Sequence, residues 1–142
     1  MTAAAPAPKS VSLTIDGKQV AAAAGSTILD AAKQAGVHIP HFCYHPCLSI
    51  AANCRMCLVE VEKSAKLLPA CHARVGEGMV VRTATPKVRK AQQSVMEFLF
   101  INHPVDCPIC DQAGECKLQD YFMGYQQQLS RLHTHLVYRL KS

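Results

Sequence analysis

Eight cysteines in a chain of 142 residues fall into two blocks whose spacing suits soft-metal chemistry. Cys43, Cys54, Cys57 and Cys71 are arranged C-x(10)-C-x(2)-C-x(13)-C, one tight pair between two distant thiols. A two-residue gap lets adjacent thiolates occupy neighbouring ligand positions, while the fold must deliver the other two, as a 2Fe-2S core requires. The same four ligands can also form a tetrahedral zinc site, although zinc ribbons generally have two C-x(2)-C pairs and this block has one. Cys47 is left over, and Arg55 sits between two candidate ligands, where a cation would favour added negative charge or simply be solvated.

The second block is more compact. His103, Cys107, Cys110 and Cys116 give H-x(3)-C-x(2)-C-x(5)-C, four soft or borderline ligands on one short stretch. A 4Fe-4S cube has four corners to ligate, and an imidazole in place of one thiolate removes a negative charge and makes reduction easier. Three Cys and one His is also a common structural zinc set, so spacing alone leaves both metals open. His38, His41, His45 and His72 flank the first block and read as hydrogen-bonding neighbours or surface residues.

These ligands need a scaffold. Val11, Leu13 and Ile15 alternate with polar residues, Asp16-Gly17 supplies a turn, and Val20 lies on the return strand, predicting a hairpin over residues 11 to 22. Gly25 and Ser26 then offer punctuation and an N-cap for a helix with Ile28, Ala31, Ala32 and Ala35 on one face and Gly36 as its stop. Strand, strand, helix is the opening of a β-grasp fold, and it puts iron-sulfur ahead of zinc for the first block. The stretch from His38 to Asn53, with Pro40 and Pro46, has no period and predicts irregular surface chain. Strands are expected over Leu58 to Val61, Leu67 to Ala70 and Met79 to Thr83, completing a small mixed sheet. Thr85 and Pro86 open a second helix with Val88, Ala91, Val95, Phe98, Leu99 and Asn102 on one face, ended by Pro104. A short helix from Lys117 to Leu129, weakened by Gly124, follows the second cysteine block. The expected class is therefore α+β: a disordered arm over residues 1-10, a 2Fe-2S ferredoxin-type β-grasp domain over 11-84, a helical His/Cys-ligated 4Fe-4S domain over 85-125, and an unassigned tail over 126-142.

Composition bounds the function. Aromatics are only 6% and Trp is absent, so bulky core material is thin and metal staples would suit the chain. Lys and Arg are scattered despite the formal charge of +5, with Lys87, Arg89 and Lys90 the only local concentration, which argues against nucleic acid. No apolar run approaches a membrane span, predicting a soluble chain. The first ten residues lack the pattern of a secretory signal, and the first Arg is Arg55, unlike an Arg-rich transit peptide. Cytosol is the expected compartment, where thiols stay reduced and cysteines serve metals rather than disulfides.

Three longer strings carry a resemblance. Cys43-Tyr44-His45-Pro46 with Leu48-Ser49-Ile50, Asn53-Cys54-Arg55-Met56-Cys57-Leu58-Val59-Glu60-Val61, and Asn102 to Gln112 with Gly114-Glu115-Cys116 resemble the N-terminal part of the large iron-sulfur subunit (75 kDa type) of NADH-quinone oxidoreductase, respiratory complex I. Related modules occur in NAD-linked and iron-only hydrogenases and some formate dehydrogenases. The resemblance implies one 2Fe-2S cluster on Cys43, Cys54, Cys57 and Cys71 and one 4Fe-4S cluster on His103, Cys107, Cys110 and Cys116. It further implies an electron relay from flavin on a neighbouring NADH-binding subunit toward quinone, with no substrate-turnover site on this chain, no nucleic acid and no membrane span. Its implied place is cytoplasmic, peripheral on the inner membrane through its complex; the other reading is a zinc-stabilised binding module.

The family continues into further cysteine motifs and a long molybdopterin-enzyme-like region, so the chain reads as a fragment, a truncated product or a reduced paralogue. It departs from the family pattern at Cys47, where a basic residue is usual, and at Ala52 and Ala113, where Gly is usual. Ala52 matters if its backbone needs positive φ, which would strain the loop before Cys54.

Overall fold

The computed structural model describes residues 10–125. Residues 1-9 of the disordered arm expected over 1-10, the 126-142 tail and the far end of the last helix lie outside the described residues.

The hairpin forms as its alternation predicts. β1 (Ser10–Ile15) and β2 (Lys18–Ala23) pair antiparallel, and Asp16 and Gly17 both take positive φ, 48° and 83°, as a two-residue turn between twisted strands requires. Ser10 pairs with Ala23, so the strand takes in one residue that the sequence assigns to the arm. Leu13, Ile15, Val20 and Ala22 are buried on one face.

α1 (Ile28–Gln34) buries Ile28, Leu29, Ala31 and Ala32, with Ala35 packed against the same core. Its N-cap is Thr27, not the Gly25-Ser26 pair: the Thr27 hydroxyl accepts from the Asp30 N–H, while Ser26 Oγ donates back to the Ala23 carbonyl. Two further N–H groups of the first turn reach outside the helix. Ile28 donates to the Ala73 carbonyl and Leu29 to the Ala70 carbonyl, so the start of α1 rests on the segment that carries Cys71.

After a long irregular crossing come β3 (Leu58–Val61), β4 (Leu68–Pro69) and β5 (Met79–Arg82). The last two are shorter than expected. The five strands form one mixed sheet in the order β2-β1-β5-β3-β4, parallel between β1 and β5 and antiparallel elsewhere. Its core joins Leu13, Ile15, Val59, Val61 and Val81 to the apolar face of α1 and to Ile39, Cys57 and Cys71. The two buried cysteines are thus part of the hydrophobic interior.

α2 (Pro86–Phe100) is capped by Thr85, whose hydroxyl accepts from the Val88 N–H, with Pro86 at the first helical position. Its buried face is Val88, Gln92 and Met96, rotated from the expected apolar stripe: Phe98 is 73% exposed and Leu99 37%. Gln92 displaces the apolar residues because it has polar partners inside, described below. α2 packs on β3 and on α3 (Lys117–Tyr125), which follows a single 3-10 turn at Cys107–Ile109.

Candidate iron-sulfur site

The crossing between α1 and β3 places Cys43, Cys54 and Cys57, and the turn beyond β4 places Cys71. Cys57 and Cys71 are buried, and Cys43 and Cys54 are half-buried. The four thiols are electrostatic neighbours: Cys43 acts on Cys54, and Cys57, Cys43 and Cys54 all act on Cys71.

Cys54 and Cys71 differ electrostatically. Burial pushes the Cys54 thiol up, but the backbone N–H groups of Cys43, Met56 and Phe42, together with the Cys43 thiol, outweigh it and hold Cys54 below its ordinary value. Met56 belongs to the turn around Cys54, where Ala52 (φ 49°) and Arg55 (φ 59°) are left-handed, whereas Phe42 and Cys43 reach Cys54 from the earlier part of the same crossing. Cys71 lies in the opposite environment. Burial, the neighbouring Cys57 thiol and the charges of Cys57, Cys43 and Cys54 push it up to about 12. Four thiolates at this spacing repel one another without a cation between them, and a metal core removes that penalty.

The donor set therefore fits a 2Fe-2S core: four sulfurs, with N–H groups favouring charge at Cys54 and apolar packing around Cys57 and Cys71. Among the described residues no three His, Cys, Asp or Glu side chains are gathered around one point at single-ion spacing.

The second block is less assembled. Cys107 opens the 3-10 turn, Cys110 closes it and is exposed, and Cys116 precedes α3, its carbonyl accepting from the Asp120 N–H. His103 is exposed, its ring edge-on to Phe100 at 5.9 Å between centroids. The four residues share one loop without closing into a ligand group, and their composition, one imidazole and three thiols, is what fits a 4Fe-4S cluster.

Around the first block lie residues that spacing did not single out. Tyr44 donates to Asp30 at 2.5 Å, and Thr27 donates to the other carboxylate oxygen at 2.7 Å, tying the residue after Cys43 to α1. Tyr121 of α3 accepts from the His41 N–H at 3.3 Å, stands 3.5 Å from His38 Nε2, and meets the Phe42 ring edge-on at 5.2 Å. The flanking histidines behave as hydrogen-bonding neighbours: His41 Nδ1 contacts the Ile39 carbonyl at 2.8 Å, and His45 Nδ1 accepts from the Cys47 N–H at 3.2 Å. Cys47 and Arg55 are exposed.

Known proteins resemble this chain in sequence and fold. Residues 8–86 match the family described as 2Fe-2S iron-sulfur cluster binding domain. The chain belongs to that family. Residues 92–131 match a second, the NADH-ubiquinone oxidoreductase-G iron-sulfur binding region. The chain is 55% identical over 123 residues to the G-type chain of NADH-quinone oxidoreductase from Rickettsia bellii, covering 87% of this chain and 18% of that one. It is 55% identical over 132 residues to the mitochondrial NADH-ubiquinone oxidoreductase 78 kDa subunit of Neurospora crassa, covering 93% and 18%. Among solved structures, a chain of an NAD+-reducing [NiFe]-hydrogenase in the H2-reduced state superposes with a TM-score of 0.82 at 27% identity, over 93% of this chain and 55% of the other.

The chain thus spans about a fifth of the length of the curated relatives it matches. The named relatives are oxidoreductase subunits, and the part of them that this chain matches includes the 2Fe-2S family region. Among the described residues no helix is long and apolar enough to cross a membrane.

Proposed function

We propose that the chain is the iron-sulfur relay of an NADH-quinone oxidoreductase, passing electrons from a flavin on an NADH-binding partner subunit toward quinone. Residues 11-84 would form the 2Fe-2S unit, with Cys43, Cys54, Cys57 and Cys71 as ligands. Residues 85-125 would form the 4Fe-4S unit, with His103, Cys107, Cys110 and Cys116. Bound there, the two clusters supply one-electron transfer without proton or hydride chemistry.

The observation that carries this reading is the gathering of the first four thiols at the edge of the core, two buried and two half-buried, within the region that matches the 2Fe-2S family. The protein's own contribution is electrostatic. N–H groups at Cys54 stabilise negative charge there, and burial keeps water from Cys57 and Cys71. No residue is needed as acid, base or nucleophile. Assembly with partners is supported by the apolar surface around the second block, where Val105, Ile109 and Met123 are exposed. Peripheral attachment to the cytoplasmic face of the inner membrane, through those partners, belongs to the same proposal.

A NAD-linked hydrogenase is the second candidate host, favoured by the superposition on the hydrogenase chain. Identity of 55% to the NADH-quinone oxidoreductase chain against 27% to the hydrogenase chain puts complex I first.

The test is electron paramagnetic resonance of the reduced chain and two variants. Cys54→Ser should abolish or transform the 2Fe-2S signal and leave the 4Fe-4S signal, and Cys116→Ser should do the reverse. Retention of both signals in either variant contradicts the ligand assignment.

A further inference from the structure

Two tyrosines of α3 share one helical face; Tyr121 reaches the first domain directly and Tyr125 through Gln92 of α2. Tyr121 accepts from the backbone N–H of His41 and packs edge-on against Phe42, the residue before Cys43. One turn on, Tyr125 donates to Gln92 Oε1 at 2.6 Å, and Gln92 Nε2 donates to the carbonyl of Leu58, the residue after Cys57. The two contacts therefore end beside two candidate ligands, Cys43 and Cys57. Tyr121 lies in the region matched to the second iron-sulfur family, and its partners lie in the first. α3 itself starts at the residue after Cys116.

We propose that Tyr121 is a positioning residue for the first cluster, docking α3 over the His41–Cys43 backbone so that the 4Fe-4S segment limits water access to the 2Fe-2S site. This rests on the two-cluster reading. The geometry supports a lid that is part of the chain: His41, Phe42, Cys43 and Tyr121 are all half-buried, and Phe42 meets its edge-on ring partner on α3. Removing the phenol frees an N–H adjacent to the loop and removes a ring from its outer side. Local opening then becomes more frequent, and a more solvated cluster site favours the reduced, more negative form.

The experiment uses the full chain carrying both clusters, purified anaerobically, and follows loss of the 2Fe-2S visible absorption to a water-soluble iron chelator and the midpoint potential of each cluster. Tyr121→Ala should speed 2Fe-2S loss by about fivefold or more, the change expected from losing a net hydrogen bond and a ring contact. It should raise the midpoint potential of that cluster. Tyr121→Phe, which keeps the ring on Phe42, should give a smaller acceleration and decides the matter alone if the alanine variant does not accumulate. A general loss of stability would not shift the 2Fe-2S potential of the intact fraction, so the potential separates positioning from mere destabilisation. Loss rates and potentials equal to those of the unchanged chain would overturn the inference while leaving the two-cluster reading standing. Absence of a 2Fe-2S signal in the unchanged chain would overturn both.

Discussion

Gln92, 2% exposed in the middle of α2, holds the carbonyl of Leu58 with its amide nitrogen at 3.2 Å and receives the phenol of Tyr125 on its amide oxygen at 2.6 Å. A buried amide with both ends satisfied ties sheet, α2 and α3 together at one point. Gln92→Leu keeps much of the volume but leaves the Leu58 carbonyl and the Tyr125 hydroxyl without it. The expected cost is about 2 kcal/mol, measured by denaturant unfolding of the loaded chain. A variant as stable as the parent would mean that water replaces both bonds.

Of the two alanines that the resemblance marks as departures, Ala52 and Ala113, only Ala52 is left-handed, at φ 49°. Ala52→Gly should therefore stabilise the chain by about 1 kcal/mol, relieving the Cβ clash of that conformation. Ala113→Gly should give no such gain, because the strained position in its turn is already Gly114, at φ 86°. Paired unfolding curves check this, and equal effects at the two sites would contradict it.

The Tyr44–Asp30 contact has a pH signature. Burial raises the Asp30 carboxyl, but bonds from Tyr44 and Thr27 and the charge of Lys33 outweigh it, leaving it below 3.8. The bond to Asp30, with burial, pushes Tyr44 up to about 12 from 10.0. A depressed carboxyl contributes stability above its ordinary value that is lost as pH falls through its folded value; a raised phenol contributes stability below its ordinary value that is lost as pH rises through its folded one. The stability difference between the parent and Tyr44→Phe should thus be greatest at neutral pH, shrink below pH 3.8 and shrink again between pH 10.0 and about 12. A difference independent of pH would show that the phenol contributes packing only.

His103→Cys tests the second ligand set. A fourth thiolate adds negative charge next to the cluster, so the 4Fe-4S midpoint potential should fall while that of the 2Fe-2S cluster stays in place. Redox titration followed by electron paramagnetic resonance reads both at once. An unchanged or raised 4Fe-4S potential would count against His103 as a ligand.

Much of the fold was legible because its signals are local. Alternation at Val11, Leu13 and Ile15, the Asp16-Gly17 turn and the Thr85-Pro86 helix start each depend on a few adjacent residues, and each is where its pattern placed it. Of what failed, one point was a one-residue shift in a local cap and the other depended on partners distant in sequence. Thr27 caps α1 in place of the Gly25-Ser26 pair, and its hydroxyl bonds both to the Asp30 N–H and to a carboxylate already engaged by Tyr44. The inward face of α2 differs from the apolar stripe because burying Gln92 is favourable only with Leu58 and Tyr125 beside it. Phe98 and Leu99 follow a helical period but face outward.

The candidate site divides in the same way. Cysteine spacing singled out the two blocks, and the strain considered at Ala52 is present as positive φ. Nothing in the spacing announced Tyr44 or Tyr121: Tyr44, next to Cys43, matters through Asp30 on α1, and Tyr121 reaches His41 and Phe42 from α3, remote in sequence.

The most direct test of the central claim is the content of iron, acid-labile sulfide and zinc per chain in anaerobically purified protein. Two clusters predict about six irons with matching sulfide and little zinc. Near-stoichiometric zinc without sulfide would contradict the electron relay and make the same eight ligands a structural zinc scaffold.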